Sequence, residues 1–248
     1  MSSTTLIVAE DNPKDFEFLQ GMITEWEKPC RIERATNGIA ALELALAEEA
    51  PLVISDIQMP QMNGIDFARA LWARKPQARI VFWSQHKDEM YVRALAKIVP
   101  PETVYGYVLK SNARERIENA LVTVLFDDQC WIDPEVRKVQ GRAGGHQTAL
   151  SDIEYEALVD ISLGLTDNLI AQRRYLSRRG VQSRLNTLYG KLGLDLEQFQ
   201  SDQVGDAFNL RNRAVSAAVR RGLINAFELE HEEEEFQGWL KRYRTSHR

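Results

Sequence analysis

The 248-residue chain has little cysteine and histidine, with only Cys30, Cys130 and four scattered histidines. This scarcity indicates a reducing compartment and argues against a disulfide framework or a zinc site. The sequence also lacks an apolar run as long as a membrane-spanning helix, and its N-terminus lacks a basic region followed by an apolar core. We therefore expect a cytoplasmic protein that does not act in a membrane.

The composition is 44% hydrophobic and 27% charged, which is typical of a soluble globular protein. The length predicts two ordinary domains rather than one. A formal net charge of −5 argues against a protein that is basic throughout, although the charge is unevenly distributed along the chain.

Residues 4–125 alternate short apolar segments with patterns of helical spacing. The predicted strands are Leu6–Ala9, Arg31–Ala35, Leu52–Ser55, Arg79–Trp83 and Val104–Leu109. Five successive strand–helix units predict a five-stranded, doubly wound parallel α/β sheet with helices on both faces and right-handed crossovers.

Polar side chains follow four of these strands. Glu10 and Asp11 follow the first, Asp56 the third, Ser84 the fourth and Lys110 the fifth. Because ligands bind at the carboxyl ends of parallel strands, we expect these residues to form one site. Clustered carboxylates need a cation, and oxygen ligands favour Mg²⁺, while Lys110 can bind a phosphoryl oxygen. A single aspartate at the end of a strand is equally consistent with a residue that caps the following turn. Carboxylates, a hydroxyl and a lysine at the ends of four strands together predict phosphoryl transfer.

The same region resembles the receiver domain of two-component response regulators. The resemblance is carried by Glu10-Asp11, by the segment Ser55–Gly64 (SDIQMPQMNG), by Ser84 and by Gly106–Lys110 (GYVLK). It implies that Asp56 is the phosphoacceptor and that Glu10, Asp11 and Asp56 bind Mg²⁺. It further implies that Ser84 and Tyr107 are switch residues, that Lys110 binds the phosphoryl group, and that a sensor histidine kinase supplies it.

The second half predicts an all-α domain of short helices. Ser151 and Glu154 form a capping-box pattern, Thr166 and Ser177 can cap two further helices, and Gly164 stands where the first would end. Short helices joined by tight turns are the layout of a helix-turn-helix. We therefore predict a receiver domain at 1–126, a glycine-containing linker at 127–147, a helix-turn-helix domain at 148–225 and a helical extension at 226–248.

The helix-turn-helix region carries charge of one sign, because residues 168–194 contain six basic and no acidic residues. Such a face on an acidic protein favours a polyanionic partner. The segments Gly164–Thr166 and Leu188–Gly193, with Ser177 between them, resemble the LuxR-type helix-turn-helix of the NarL/FixJ class. The resemblance implies double-stranded DNA binding through a recognition helix at about Arg178–Leu192. The candidate DNA contacts are Arg173, Arg174, Arg178, Arg179, Gln182, Ser183, Arg184, Asn186 and Lys191.

We therefore expect a phosphorylation-controlled transcription regulator rather than an enzyme with turnover. Two departures from the family, Gly180 in the recognition helix and an insert near 195–209, favour an alternative in which the domain binds protein instead of DNA. A phosphatase-like hydrolase would need a second carboxylate close after Asp56, but Gln58 stands there.

The tail permits two interpretations. From Val215 to Tyr243 a spacing of three and four residues places apolar residues at seven of nine positions, which predicts one long helix pairing in a homodimer. The alternative is that Gly222 ends the helix and that Phe236, Trp239 and Leu240 fold back on the domain.

Overall fold

The structure, a computed structural model, describes residues 4–27, 30–143, 150–194 and 209–246. The chain forms two compact units. The N-terminal unit comprises Met1–Lys87 and Tyr91–Lys138, and the C-terminal unit comprises Asp88–Met90 and Val139–Arg248. Among the described helices, none is long and apolar enough to cross a membrane.

The N-terminal part of the chain is built on one parallel sheet with the strand order β2-β1-β3-β4-β5-β6. The strands are β1 Thr4–Ala9, β2 Cys30–Ala35, β3 Leu52–Ser55, β4 Arg79–Ser84, β5 Tyr105–Leu109 and β6 Trp131–Ile132. The helices are α1 Pro13–Thr24, α2 Gly38–Ala47, α3 Gly64–Trp72, α4 Glu89–Ile98, α5 Arg114–Leu125 and α6 Pro134–Ala143. The predicted parallel α/β fold is confirmed.

The core of this sheet explains why its strands read as apolar runs. Leu6, Val8, Ile54, Val81 and Val108 are buried in one cluster with side chains of the surrounding helices. Strands buried on both faces need no alternation of polar and apolar residues, so the sequence shows them as short continuous apolar segments.

The prediction of five strands was wrong, because Trp131 and Ile132 add a sixth beside Gly106 and Tyr107. The two-residue strand was too short to show a period, and Trp131 packs against the core of the sheet. Helix α6 likewise lies inside the segment predicted as a linker. An Asp133 carboxylate oxygen accepts a hydrogen bond from the Glu135 amide at 2.9 Å, and Pro134 opens the helix, as is typical of helix starts.

The C-terminal unit contains α7 Asp152–Ser162, α8 Asp167–Arg173, α9 Arg178–Lys191, α10 Leu210–Arg220 and α11 Ala226–Ser246. The predicted caps Ser151, Thr166 and Ser177 each accept a backbone hydrogen bond at the start of α7, α8 and α9. The two parts of the capping box, Ser151 and Glu154, are both present. The all-α layout is therefore confirmed, and the predicted insert lies outside the described residues except for Asn209, which caps α10.

Three helices of this unit end in glycine with positive φ: Gly164 at +75°, Gly193 at +68° and Gly222 at +65°. In each case the next residue donates its amide to the carbonyl five residues back, at 2.9 to 3.1 Å. This is the Schellman arrangement, and a glycine adopts its left-handed conformation without the steric penalty of a side chain.

The continuous helix predicted for the tail was wrong, because Gly222 ends α10 and α11 begins only at Ala226. The alternative is confirmed: Phe236 is buried in the core of the C-terminal unit, and Trp239 and Leu240 pack against it. The seam counted across Gly222 therefore belongs to two helices, of which the second is bound to its own domain.

Candidate functional site

The sheet places the predicted residues at one edge. Glu10 follows β1, Asp56 follows β3 and Lys110 follows β5. Backbone bonds continue the ladder into this edge: the Asp56 amide donates to the Ala9 carbonyl, and the Lys110 amide donates to the Ser84 carbonyl, each at 2.9 Å. The side chains thus start from a rigid frame.

The buried ammonium of Lys110 is bound by three carboxylates. Its Nζ lies 2.7 Å from Glu10 Oε2, 2.7 Å from Asp56 Oδ2 and 2.8 Å from Asp15 Oδ2. An ammonium has three N–H donors, so all of them are used. The predicted neighbours Glu10, Asp56 and Lys110 are brought together, and Asp15 joins them.

The pKa values report the charge balance of the cluster. Burial raises the pKa of the Glu10 carboxyl to about 7, and the charge of Asp56 adds to that rise while Lys110 opposes it. Burial alone would lower the pKa of Lys110, but Asp56, Asp15 and Glu10 outweigh burial and raise it. Lys110 is therefore charged throughout the physiological range.

Glu10, Asp11 and Asp56 offer oxygen atoms that lie within 4.8 Å of one another. Glu10 and Asp56 are buried and Asp11 is exposed, so the group opens to solvent on one side. An all-oxygen carboxylate set fits a hard divalent cation, and a cation there would neutralise the excess negative charge.

The two predicted switch residues both contact the backbone of His86. The amide of His86 donates to Ser84 Oγ at 3.3 Å, and the buried Tyr107 hydroxyl donates to the carbonyl of His86 at 2.7 Å. The loop after β4 is thus held between a residue of β4 and a residue of β5.

Sequence reasoning missed Asp15 and Trp83. The ring centroid of Trp83, the residue before Ser84, lies 4.7 Å from Lys110 Nζ, and Phe18 stacks on this ring with a centroid separation of 5.8 Å. Asp15 stands in the first turn of α1, where acidic residues are common, so no local pattern distinguished it.

The exposed face of α9 carries five of the nine predicted DNA contacts. These are Arg178, Arg179, Gln182, Ser183 and Asn186, and their spacing of three and four residues places them on one side of the helix. Within the described residues, Arg178 and Arg179 have no acidic partner, so their charges are available to a ligand.

The other predicted contacts are differently placed. Arg173 and Arg174 bind the fully buried Asp160 of α7, at 2.8 Å and 2.9 Å respectively. Lys191 binds Glu154 at 2.7 Å, and Arg184 is half-buried. The one-sign charge of residues 168–194 overstated the basic face, because α7 supplies the counter-charges from outside that segment.

Comparison with known proteins agrees with this geometry. Residues 6–122 match the family model of the response regulator receiver domain. The N-terminal unit therefore contains the receiver domain of response regulators. The NarL/FixJ class predicted from sequence is confirmed by its relatives. Among them is a probable transcriptional regulatory protein NarL of Mycobacterium tuberculosis, 26% identical over 227 residues, with 89% of this chain and 95% of the relative covered.

Two further similarities extend over most of the chain. It is 28% identical over 226 residues to the transcriptional activator protein ExaE of Pseudomonas putida, with 87% of this chain and 98% of ExaE covered. Its fold is similar to RcsB of Salmonella enterica serovar Typhimurium bound to the promoter P1flhDC, at a TM-score of 0.57 and 18% identity. That similarity covers 88% of this chain and 100% of the RcsB chain.

Proposed function

We propose that the protein is a DNA-binding transcription regulator controlled by phosphorylation of Asp56 by a sensor histidine kinase. The observation that carries this function is the 2.7 Å bond between Lys110 Nζ and Asp56 Oδ2 inside a carboxylate cluster suited to a divalent cation. A positioned carboxylate, a cation site and a fixed positive charge are the requirements of phosphoryl transfer.

In the reaction an Asp56 oxygen attacks phosphorus, an acyl phosphate forms, and the bond from phosphorus to the imidazole nitrogen of the kinase breaks. Mg²⁺ held by Glu10, Asp11 and Asp56 would supply charge neutralisation at the phosphoryl oxygens. Before the reaction Lys110 Nζ donates a hydrogen bond to the Asp56 carboxylate. After the reaction the same N–H group donates to a phosphoryl oxygen. Ser84 and Tyr107 then bias the loop after β4 between two arrangements.

On the DNA side, Arg178 and Arg179 support binding of a duplex through phosphate neutralisation. A homodimer would set the spacing of two half-sites, and RcsB, whose fold is similar, has been solved as two dimers bound to two parallel DNAs. A dimer seam that continues through Gly222 does not fit the structure, because α10 ends there and α11 buries Phe236 within its own domain.

The test examines both phosphorylation of the receiver domain and DNA binding by the C-terminal unit. With Mg²⁺ and a small acyl phosphate, intact-mass spectrometry should find one phosphoryl group on the wild type and none on Asp56→Ala. Phosphorylation should also change the affinity for a duplex chosen by genome-wide mapping of bound sites. Equal labelling of both proteins would exclude Asp56 as the acceptor, and the absence of salt-dependent DNA binding would favour the protein-binding alternative.

A further inference from the structure

Helix α8 ends in the same backbone geometry as α7, α9 and α10, but without a glycine. The amide of Leu176 donates to the carbonyl of Ala171, five residues back, at 2.8 Å. The residue between helix and next segment, Tyr175, has a φ of +54°. The other three helix ends of this kind carry glycine at the corresponding position, so the choice of tyrosine needs a reason other than the cap.

Left-handed backbone is disfavoured for a residue with a large side chain, and tyrosine is not among the residues that commonly tolerate it. The two other non-glycine residues with positive φ among the described residues are Gln61 and Asp128. An observed backbone outlier of this kind is grounds for a functional hypothesis when the local fold does not require the side chain.

The fold makes no use of the Tyr175 side chain. It is 92% exposed, whereas the other exposed large apolar side chains of the described residues lie between 39% and 54%. Within the part of the chain that the structure describes, its ring and hydroxyl have no hydrogen bond or ring contact. The side chain is therefore exposed to solvent and not held by the domain.

The position of Tyr175 indicates a partner for this side chain. It stands two residues before Ser177, the cap of α9, and three residues before Arg178. Three residues of chain span at most about 11 Å, so Tyr175 lies close to the two arginines that have no acidic partner. In a helix-turn-helix the second helix enters the major groove while the first crosses the backbone, which places the turn between them beside the sugar–phosphate backbone.

We propose that Tyr175 is a contact to the sugar–phosphate backbone of duplex DNA. Its hydroxyl donates to a phosphate oxygen and its ring lies against the adjoining deoxyribose. Tyrosine is among the residues that make such contacts, which fix the register of a protein on DNA and carry no sequence information. The inference rests on the proposed DNA-binding function and adds a residue to it that neither charge nor helix periodicity singles out.

The decisive variant in the full-length protein is Tyr175→Gly, because it removes the ring and also relieves the backbone. We expect thermal unfolding at an equal or higher midpoint, together with an affinity for DNA lowered by about tenfold. The loss should be equal for a mapped binding site and for an unrelated duplex of the same length. The slope of log K against log salt should not change, since no charge is removed. Tyr175→Phe should lose about threefold, the share of one hydrogen bond.

Two matched variants complete the test. Ile39→Ala removes an exposed apolar side chain from the receiver domain and should leave DNA affinity unchanged. Arg178→Ala with Arg179→Ala should lower both the affinity and the salt slope. If the arginine variant behaves so but Tyr175→Gly binds like the wild type, only the inference about Tyr175 fails. A lowered unfolding midpoint in Tyr175→Gly would also overturn it, because the side chain would then be structural. If the wild type binds no duplex, the proposed function and this inference both fail.

Discussion

Two charge clusters, one in each unit, differ in their balance of acidic and basic groups. In the receiver domain, Lys110 is the single cation bound by Glu10, Asp15 and Asp56. In the C-terminal unit, the single carboxylate of Asp160 is bound by two arginines. Those arginines have further acidic neighbours, since Arg173 lies 3.7 Å from Glu232 and Arg174 lies 3.2 Å from Glu156.

The difference separates a binding site from a structural link. The C-terminal cluster supplies its own counter-charges, so no ligand is needed to complete it. The receiver cluster has four carboxylates, with Asp11 included, for one ammonium, and this excess suits a divalent cation. A large excess of negative charge thus distinguishes the candidate binding site, while a cluster whose carboxylates and guanidinium groups nearly cancel only holds helices together.

Replacing each cluster by apolar side chains should give the largest difference in phosphorylation and DNA affinity between the two clusters. Asp56→Leu with Lys110→Met should abolish phosphorylation, measured by intact mass. Asp160→Leu with Arg173→Met and Arg174→Met should keep phosphorylation and DNA affinity, because a buried ion cluster replaced as a whole often leaves stability unchanged or raises it by ~1–4 kcal/mol.

The control for the second replacement is Asp160→Ala alone. It leaves two arginines without their buried partner and should lower the free energy of unfolding by about 3–5 kcal/mol. A loss of DNA affinity in the triple variant at unchanged stability would contradict the comparison and restore Arg173 and Arg174 as DNA contacts.

The balanced cluster is also covered by α11, where the ring of Phe236 lies 5.5 Å from the guanidinium of Arg173. Phe236→Ala should lower the free energy of unfolding of the C-terminal unit by about 3–5 kcal/mol, because it leaves a cavity in the core. Chemical denaturation measures it, with the exposed Glu234→Ala as the control that stays within about 0.5 kcal/mol. Equal stability of both variants would show that α11 does not support the domain.

For the receiver cluster, stability and Mg²⁺ affinity should both depend on pH. The pKa of Glu10, about 7, lies above its ordinary value of 4.5, so the folded protein holds a proton that the unfolded chain has lost. Stability without metal should therefore fall as pH rises from 4.5 through 7. Because Mg²⁺ displaces that proton, its affinity by calorimetry should be about tenfold higher at pH 8 than at pH 6. Glu10→Gln should flatten this difference, and equal wild-type affinity at both pH values would contradict it.

The smallest expected change in stability concerns α9, the helix whose exposed face we propose binds DNA. A Cβ at Gly180 would meet only Ser177 Oγ at 3.4 Å and Leu176 Cβ at 4.0 Å. Gly180→Ala should therefore stabilise the domain by about 0.5–1 kcal/mol, since alanine restricts the unfolded chain. Gly193→Ala is the opposite control, because its φ of +68° should make alanine destabilising. Thermal unfolding of both variants checks the signs.

Features with local signals were predictable from the sequence. Ser151, Thr166 and Ser177 cap helices whose amides lie within three residues, so their role depends on short-range geometry alone. The pairing of Asp56 with Lys110 is long-range, but the parallel topology places the ends of β3 and β5 at one edge.

Other features depend on how helices pack, which no local pattern encodes. Asp15 is 95 residues from Lys110 in sequence, and its contact follows from where α1 lies on the sheet. Asp160 interrupts an apolar stripe and would ordinarily be expected at the surface; inside the domain its carboxylate is bound by Arg173 and Arg174 from the end of α8. The strand Trp131–Ile132 was missed because two residues show no periodicity.

The short strand β6 also protects the edge of the sheet from pairing with strands of other molecules. A chain cut at 126, where the receiver domain was predicted to end, would leave the backbone groups of Gly106 and Tyr107 without β6 and would remove the Trp131 side chain that packs on the core. Such an edge is a template for strands of other molecules, whereas a two-residue edge strand offers few groups for pairing. A receiver fragment that keeps β6 and α6 should therefore remain dispersed at concentrations at which the shorter one aggregates.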